Sequence, residues 1–201
     1  MKKQSMWSMR LSTASLVLIP VAVGINYIGK LIVGLLKLPL WLDSIGTVLA
    51  SILAGPIIGA LSGAINNVIY GLTVDTISFV YGITSIAIGL AVGILFYKGM
   101  ISSWSKAAVA GLIVGLVATI VSTPLNVGFW GGQTGNVWGD ALFATILSNT
   151  HSTWLASLLD ELVVDVPDKL VVVLVSFGLY KGLPRNIVQV YNSDNKVETL
   201  D

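Results

Sequence analysis

The chain has 201 residues, of which 55% are apolar and 10% charged, and its net charge is +1. A water-soluble domain carries about 25% charged residues, so the composition excludes an ordinary soluble fold, and the near balance of charge gives no nucleic-acid or acidic-partner signal. Cysteine is absent, which removes disulfides, thiolate metal sites and thiol catalysis.

The first predicted element is an apolar run over 11–29, preceded by the basic segment Met1–Arg10. Its apolar character continues past Tyr27 without a small-x-small cleavage site, so a retained first membrane helix is expected rather than a signal peptide. Three further stretches, 44–74, 76–97 and 107–139, also lack Asp, Glu, Lys and Arg. A membrane span needs about 20 mostly apolar residues, and in lipid each backbone amide must be satisfied within its own helix. Gly55-Pro56 interrupts the second stretch, which reads either as one kinked helix or as two short ones, about 41–54 and 57–72. Two short helices put Lys2, Lys3, Arg10, Lys98, Lys106, Lys181 and Arg185 on one side, leaving Lys30 and Lys37 opposite. One helix would scatter them, so the positive-inside rule selects two. The last span is expected over about 158–181.

The expected fold is therefore an all-α membrane protein of six transmembrane helices with both termini cytoplasmic. One transmembrane domain covers 1–185, a polar tail covers 186–201, and a long outer loop over 126–157 joins helices five and six.

Outer segments supply the candidate ligand contacts. Trp41 and Asp43 precede the second span, where Asp43 could equally cap a helix. Asn66, Asn67 and Tyr70 fall at helical spacing, either lining one stripe or gluing helices together. Tyr81 opens the fourth span. Residues 126–140 hold five glycines among Asn126, Phe129, Trp130, Gln133, Thr134, Asn136 and Trp138, a pattern that reads as an irregular aromatic loop facing a ligand or as an interfacial belt. His151, the single histidine, lies on the same side. Glu161, Asp165 and Lys169 recur every four residues and share a helix face, with Asp160 and Asp168 flanking them and Pro167 between. The local alternative is an internal Asp165–Lys169 ion pair. Carboxylates turned inward near the outer mouth would suit a cationic or hydroxyl-bearing solute. The candidate substrate-binding set is thus Trp41, Asn67, Tyr70, Tyr81, Asn126, Trp130, Gln133, Trp138, His151, Glu161 and Asp165. No metal site or cofactor is expected, and no G-x-x-x-x-G-K-[ST] phosphate loop occurs. On the first helix Ser15, Ala22, Asn26 and Gly29 form a stripe of small residues suited to close helix approach, by an external partner or by internal packing.

The run Leu38-Pro39-Leu40-Trp41-Leu42-Asp43-Ser44-Ile45-Gly46-Thr47, followed by Leu53-Ala54-Gly55-Pro56-Ile57-Ile58-Gly59-Ala60, resembles the substrate-binding S component of an energy-coupling factor transporter. Ser122-Thr123-Pro124, Gly131-Gly132-x-Thr134-Gly135 and Val166-Pro167-Asp168-Lys169 are similar to the riboflavin/hydroxymethylpyrimidine-type branch, and the resemblance covers about 8–185. It implies a non-enzymatic vitamin-capture subunit in a prokaryotic plasma membrane. Its partners would be a transmembrane coupling (T) subunit and two cytosolic ATPases, docked through the first helix, where Ala22-x-x-x-Asn26 stands nearest to the family's paired alanines. A pyridoxine- or hydroxymethylpyrimidine-like ligand is favoured. The rival readings are a standalone ion-coupled carrier using Asp165 and Lys169, and an intramembrane enzyme using His151 or the carboxylates as acid and base.

Overall fold

The computed structural model describes residues 12–193, and every regular element within them is helical. The order is α1 (Thr13–Leu36), α2 (Ile45–Ala54), α3 (Pro56–Thr73), α4 (Ser78–Tyr97), α5 (Trp104–Trp130), α6 (Val137–Thr150), α7 (Thr153–Gly182) and α8 (Arg185–Ser193). Lys2, Lys3 and Arg10, on which the topology and the retained first helix partly rest, lie outside the described residues. Helix starts follow local chemistry: Ser12, Ser103, Asn136 and Ser152 each accept a hydrogen bond from a backbone N–H of the first turn.

Three helices, α1, α4 and α5, are long and apolar enough to cross a membrane, and they mark the chain as a membrane protein. Polarity is arranged accordingly. Leu16, Val17, Ile28, Ile83, Leu116 and Ile120 face outward, whereas Asn26, Asn66, Asn67, Asn126, Asp160 and Asp168 are buried. A soluble bundle hides its leucines; a bundle solvated by lipid gains nothing by doing so.

Gly55 resolves the second apolar stretch into two helices. Its φ of 92° is a conformation glycine adopts without steric cost, and Pro56 starts α3 where its missing N–H does no harm. α2 is only 10 residues long, roughly 15 Å or half the hydrocarbon thickness.

Helices α1–α5 and α7 alternate in direction between two ends. At one end Leu18, Ala22, Ala50 and Ile58 cluster with Tyr191 of α8, while Trp104 packs on Phe177 and Phe96 on Tyr180. Lys98, Lys106, Lys181 and Arg185 gather there. The other end receives the C-terminal parts of α1, α3 and α5 and the N-terminal parts of α4 and α7. Between them a core of Val48, Ile52, Ile88, Val92, Val114, Val172 and Phe177 closes the bundle.

Several expectations are corrected. Residues 126–157 are not one long loop: α5 continues to Trp130, residues 131–136 are irregular, and α6 follows against α7. Pro124 lies inside α5 without ending it, as prolines in membrane helices can. Part of the expected tail, 186–193, belongs to helix α8.

The small-residue stripe of α1 is taken up inside the bundle. Ser15, Ala22, Asn26 and Gly29 are all buried, so an external partner on this helix would meet Leu16, Val17, Val21 and Ile28 instead. Ala22 lies against Gly46, where any side chain would collide with the Ala22 carbonyl. Asn26 donates to Thr47 Oγ1 at 2.8 Å, and its Oδ1 accepts from the N–H groups of Gly46 and Thr47 at 2.7 and 3.2 Å. This amide satisfies first-turn donors of α2 that would otherwise be buried unpaired. Asn26→Ala is expected to lower stability by about 1–3 kcal/mol, read as a fall in the unfolding temperature of the detergent-solubilised chain. An unchanged temperature would show that those N–H groups find other acceptors.

Candidate functional site

A cavity of about 140 Å³ opens at the end of the bundle away from the basic cluster. It lies among α1, the turn at 41–43, the start of α4, the C-terminal half of α5, residues 134–135 and the middle of α7. An apolar cavity of about 150 Å³ holds one benzene ring, so the space is on the scale of a single small ring. Ile88 joins it to the core, Trp41 and Tyr81 contribute aromatic faces, and Ser78, Thr84, Ser85 and Ser122 supply hydroxyls.

One wall is built on a fully buried amide. Asn126, near the end of α5, accepts from the Tyr81 hydroxyl through Oδ1 and donates through Nδ2 to Glu161 Oε1. The amide therefore fixes a phenol from α4 and a carboxyl from α7 in one chain of hydrogen bonds. The Asp165 carboxyl, one turn on, stands within hydrogen-bonding reach of Glu161. Its Oδ2 is buried without a hydrogen-bond partner among the described residues. Two carboxyls this close repel each other unless a proton or a cationic group lies between them.

The opposite wall is an ionic tie between α7 and the α1–α2 turn. Asp168 Oδ1 accepts from the Trp41 and Leu42 N–H groups at 3.0 and 2.9 Å, and Oδ2 pairs with Lys169. Lys169 also reaches Asp43 Oδ1 at 3.3 Å. Burial alone would raise the Asp43 pKa, but Lys169 and Lys30 outweigh it and hold the carboxyl below its ordinary range. The ionised pair therefore stabilises the turn at neutral pH, and that contribution is lost as pH falls through the depressed pKa. Leu42 adopts a left-handed φ of 49°, and its carbonyl occupies the space a side chain at Gly29 would need. Gly29 thus admits the turn that carries Trp41 and Asp43 to the cavity. Lys30, one residue on, donates to Ser78 Oγ at 2.7 Å with its ammonium 4.2 Å from the centre of the Tyr70 ring.

Of the residues singled out in the sequence, Trp41, Asp43, Tyr81, Thr134, Glu161, Asp165 and Lys169 line the cavity, and Asn126 stands directly behind them. Asn67 is one layer further back, donating to Ser85 Oγ at 2.6 Å and to the Gly63 carbonyl. Tyr70 sits beneath Lys30 and beside Tyr27. Thr134 and Gly135 of the aromatic segment reach the lining, but its aromatic rings, Gln133 and His151 do not. Gln133 and His151 are exposed, His151 ends α6 in a left-handed conformation, Trp138 is 60% exposed and donates to the Lys37 carbonyl, and Trp130 lies outside the lining. The Asp165–Lys169 ion pair is also replaced, because Lys169 turns to Asp168 and Asp43. Asp43 does not cap α2 through its side chain.

Sequence reasoning assigned no ligand contact to Lys30, Asp75, Ser78, Ser85 or Ser122, which also line the cavity. Lys30 carried a usable signal, as the first charge after a long apolar run. The serines carried none, since intramembrane hydroxyls serve helix packing equally often. Comparison with protein-family models, curated proteins and solved structures finds no match to this chain.

Proposed function

We propose that the chain is the substrate-capturing S component of an energy-coupling factor importer in a prokaryotic plasma membrane. It spans the bilayer six times, through α1–α5 and α7, with both termini cytoplasmic. The observation that carries this reading is a ring-sized polar cavity at one end of a lipid-facing bundle, with Lys98, Lys106, Lys181 and Arg185 gathered at the other. Basic residues favour the cytoplasmic side, so the cavity opens outward, where a capture subunit meets its solute. The chain contains no phosphate-binding loop, and ATP hydrolysis falls to two cytosolic ATPase partners coupled through a transmembrane T subunit. The ligand is a small hydroxylated heterocycle of the pyridoxine or hydroxymethylpyrimidine kind, packed against Trp41 and Tyr81 and hydrogen-bonded by Glu161 and the lining hydroxyls.

The test is mass spectrometry of the small molecule that co-purifies with the detergent-solubilised chain, followed by titration of that compound. One B-vitamin or precursor is expected to bind, with Trp41→Ala weakening it by about tenfold or more, the equivalent of about 1.4 kcal/mol. Solute-independent ion flux through the purified chain would overturn the assignment. The second reading, a standalone ion-coupled carrier, draws on the buried Glu161–Asp165 pair. Proton-driven uptake into vesicles holding this chain alone would establish it instead.

A further inference from the structure

We infer that the cavity selects a cationic nitrogen compound, a protonated amine, amidine or ring nitrogen whose N–H groups engage Glu161 and Asp165. This inference rests on the capture reading above and adds the charge class of the ligand. The lining holds four carboxyl groups, Asp43, Asp75, Glu161 and Asp165, against two ammonium groups, Lys30 and Lys169. Lys169 is committed to Asp168 and Asp43. Lys30 is directed at Ser78 and the Tyr70 face, with Asp43 and Asp75 as its nearest opposite charges. Once these are matched, the carboxyl surplus falls on Glu161 and Asp165.

Those two groups are also the best prepared to receive a donor. Asn126 fixes Glu161 through one oxygen, which leaves the carboxyl oriented rather than mobile. Asp165 is 3% exposed, yet its Oδ2 has no partner among the described residues. A planar cation with two parallel N–H groups meets such a pair with short, charge-assisted hydrogen bonds, and the attraction is strengthened where water is excluded. A neutral isostere could donate but would leave the carboxyls without a counter-charge, and an anion of the same shape would add a further negative charge beside them.

Three probes of one shape separate these cases: benzamidine, benzamide and benzoate, titrated calorimetrically at neutral pH into the purified full-length chain. Benzamidine is expected to bind at least about tenfold more tightly than benzamide, with benzoate weakest, as charge-assisted bonds are roughly twice as strong as neutral ones. Asp165→Asn should bring the benzamidine-to-benzamide ratio close to one. This variant keeps the shape of a side chain whose Oδ2 has no protein bond to lose, so it remains informative where Glu161→Gln, which disturbs the Asn126 link, fails to fold. Equal binding of benzamide, preferred binding of benzoate, or a ratio unchanged in Asp165→Asn would overturn the inference while leaving the capture reading intact. If none of the three binds and no molecule co-purifies with the chain, both fall together.

Discussion

Asp168→Asn is expected to destabilise the folded chain by about 3–5 kcal/mol, the cost typical of removing one partner from a buried ion pair. Asp168 is fully buried and makes three contacts: two backbone N–H groups of the α1–α2 turn on one oxygen, and Lys169 on the other. Asparagine keeps the shape and an oxygen for the Trp41 and Leu42 N–H groups. It withdraws the charge, however, and turns an amide N–H toward the ammonium. Lys169 is itself buried and would retain only Asp43, 3.3 Å away on a side chain that is 18% exposed. The change should appear as a fall of several degrees in the unfolding temperature in mild detergent, and as a smaller monodisperse fraction. Asp43→Asn should cost markedly less, because its charge is nearer water and Lys169 keeps Asp168. Equal unfolding temperatures for Asp168→Asn and the parent chain would mean that the turn is held by packing alone. A functional consequence follows from the same tie: Trp41 and Asp43 face the cavity from a turn that Asp168 fastens to α7, so the variant should also lose ligand affinity.

The parts of this arrangement that were legible in the sequence are those governed by local rules. Charge-free stretches located the principal apolar helices, Gly55-Pro56 marked a true helix break, and the spacing of Glu161, Asp165 and Lys169 put all three on one face, which is the face lining the cavity. What local rules could not supply is the choice among partners. Helical spacing offers Lys169 the carboxyl of Asp165 four residues back. The fold instead brings Asp43 across from the α1–α2 turn, and Lys169 turns toward it and Asp168. The glycines of 126–140 likewise read as an irregular loop, whereas α5 runs on past Pro124 and Gly128 to Trp130. That continuation keeps Trp130, Gln133 and Trp138 out of the cavity lining, to which this region contributes Thr134 and Gly135, with Asn126 behind them. The stripe on α1 shows the same limit, since small residues announce a close neighbour without saying whether it belongs to the same chain. Here it is α2 and the turn before it.

Gly115→Leu is expected to disrupt the helix pair that carries the candidate site. The first carbon of a side chain at Gly115 would stand 2.8 Å from Val166 Cα and 3.3 Å from the Asp165 carbonyl oxygen. Both are backbone atoms of α7 and cannot swing aside, so α5 and α7 must separate. Overpacking of this kind costs about 1–3 kcal/mol, and more where the backbone itself is blocked. Gly128→Leu, in the same helix but with nothing within 4 Å, provides the comparison: it changes helix propensity equally and should leave stability unchanged or slightly raised. Unfolding temperatures of the two variants measured side by side separate packing from propensity, and equal values would rule out the close α5–α7 approach. The effect should extend beyond stability. Asn126 of α5 and Glu161 of α7 are joined across this interface, and Asp165 is the residue whose carbonyl meets the new side chain. Widening the interface therefore pulls the amide from the carboxyl it orients, and Gly115→Leu should weaken ligand binding even in the fraction that folds. Gly128→Leu should bind as the parent chain does, because the helix contact that sets the carboxyl wall is left untouched.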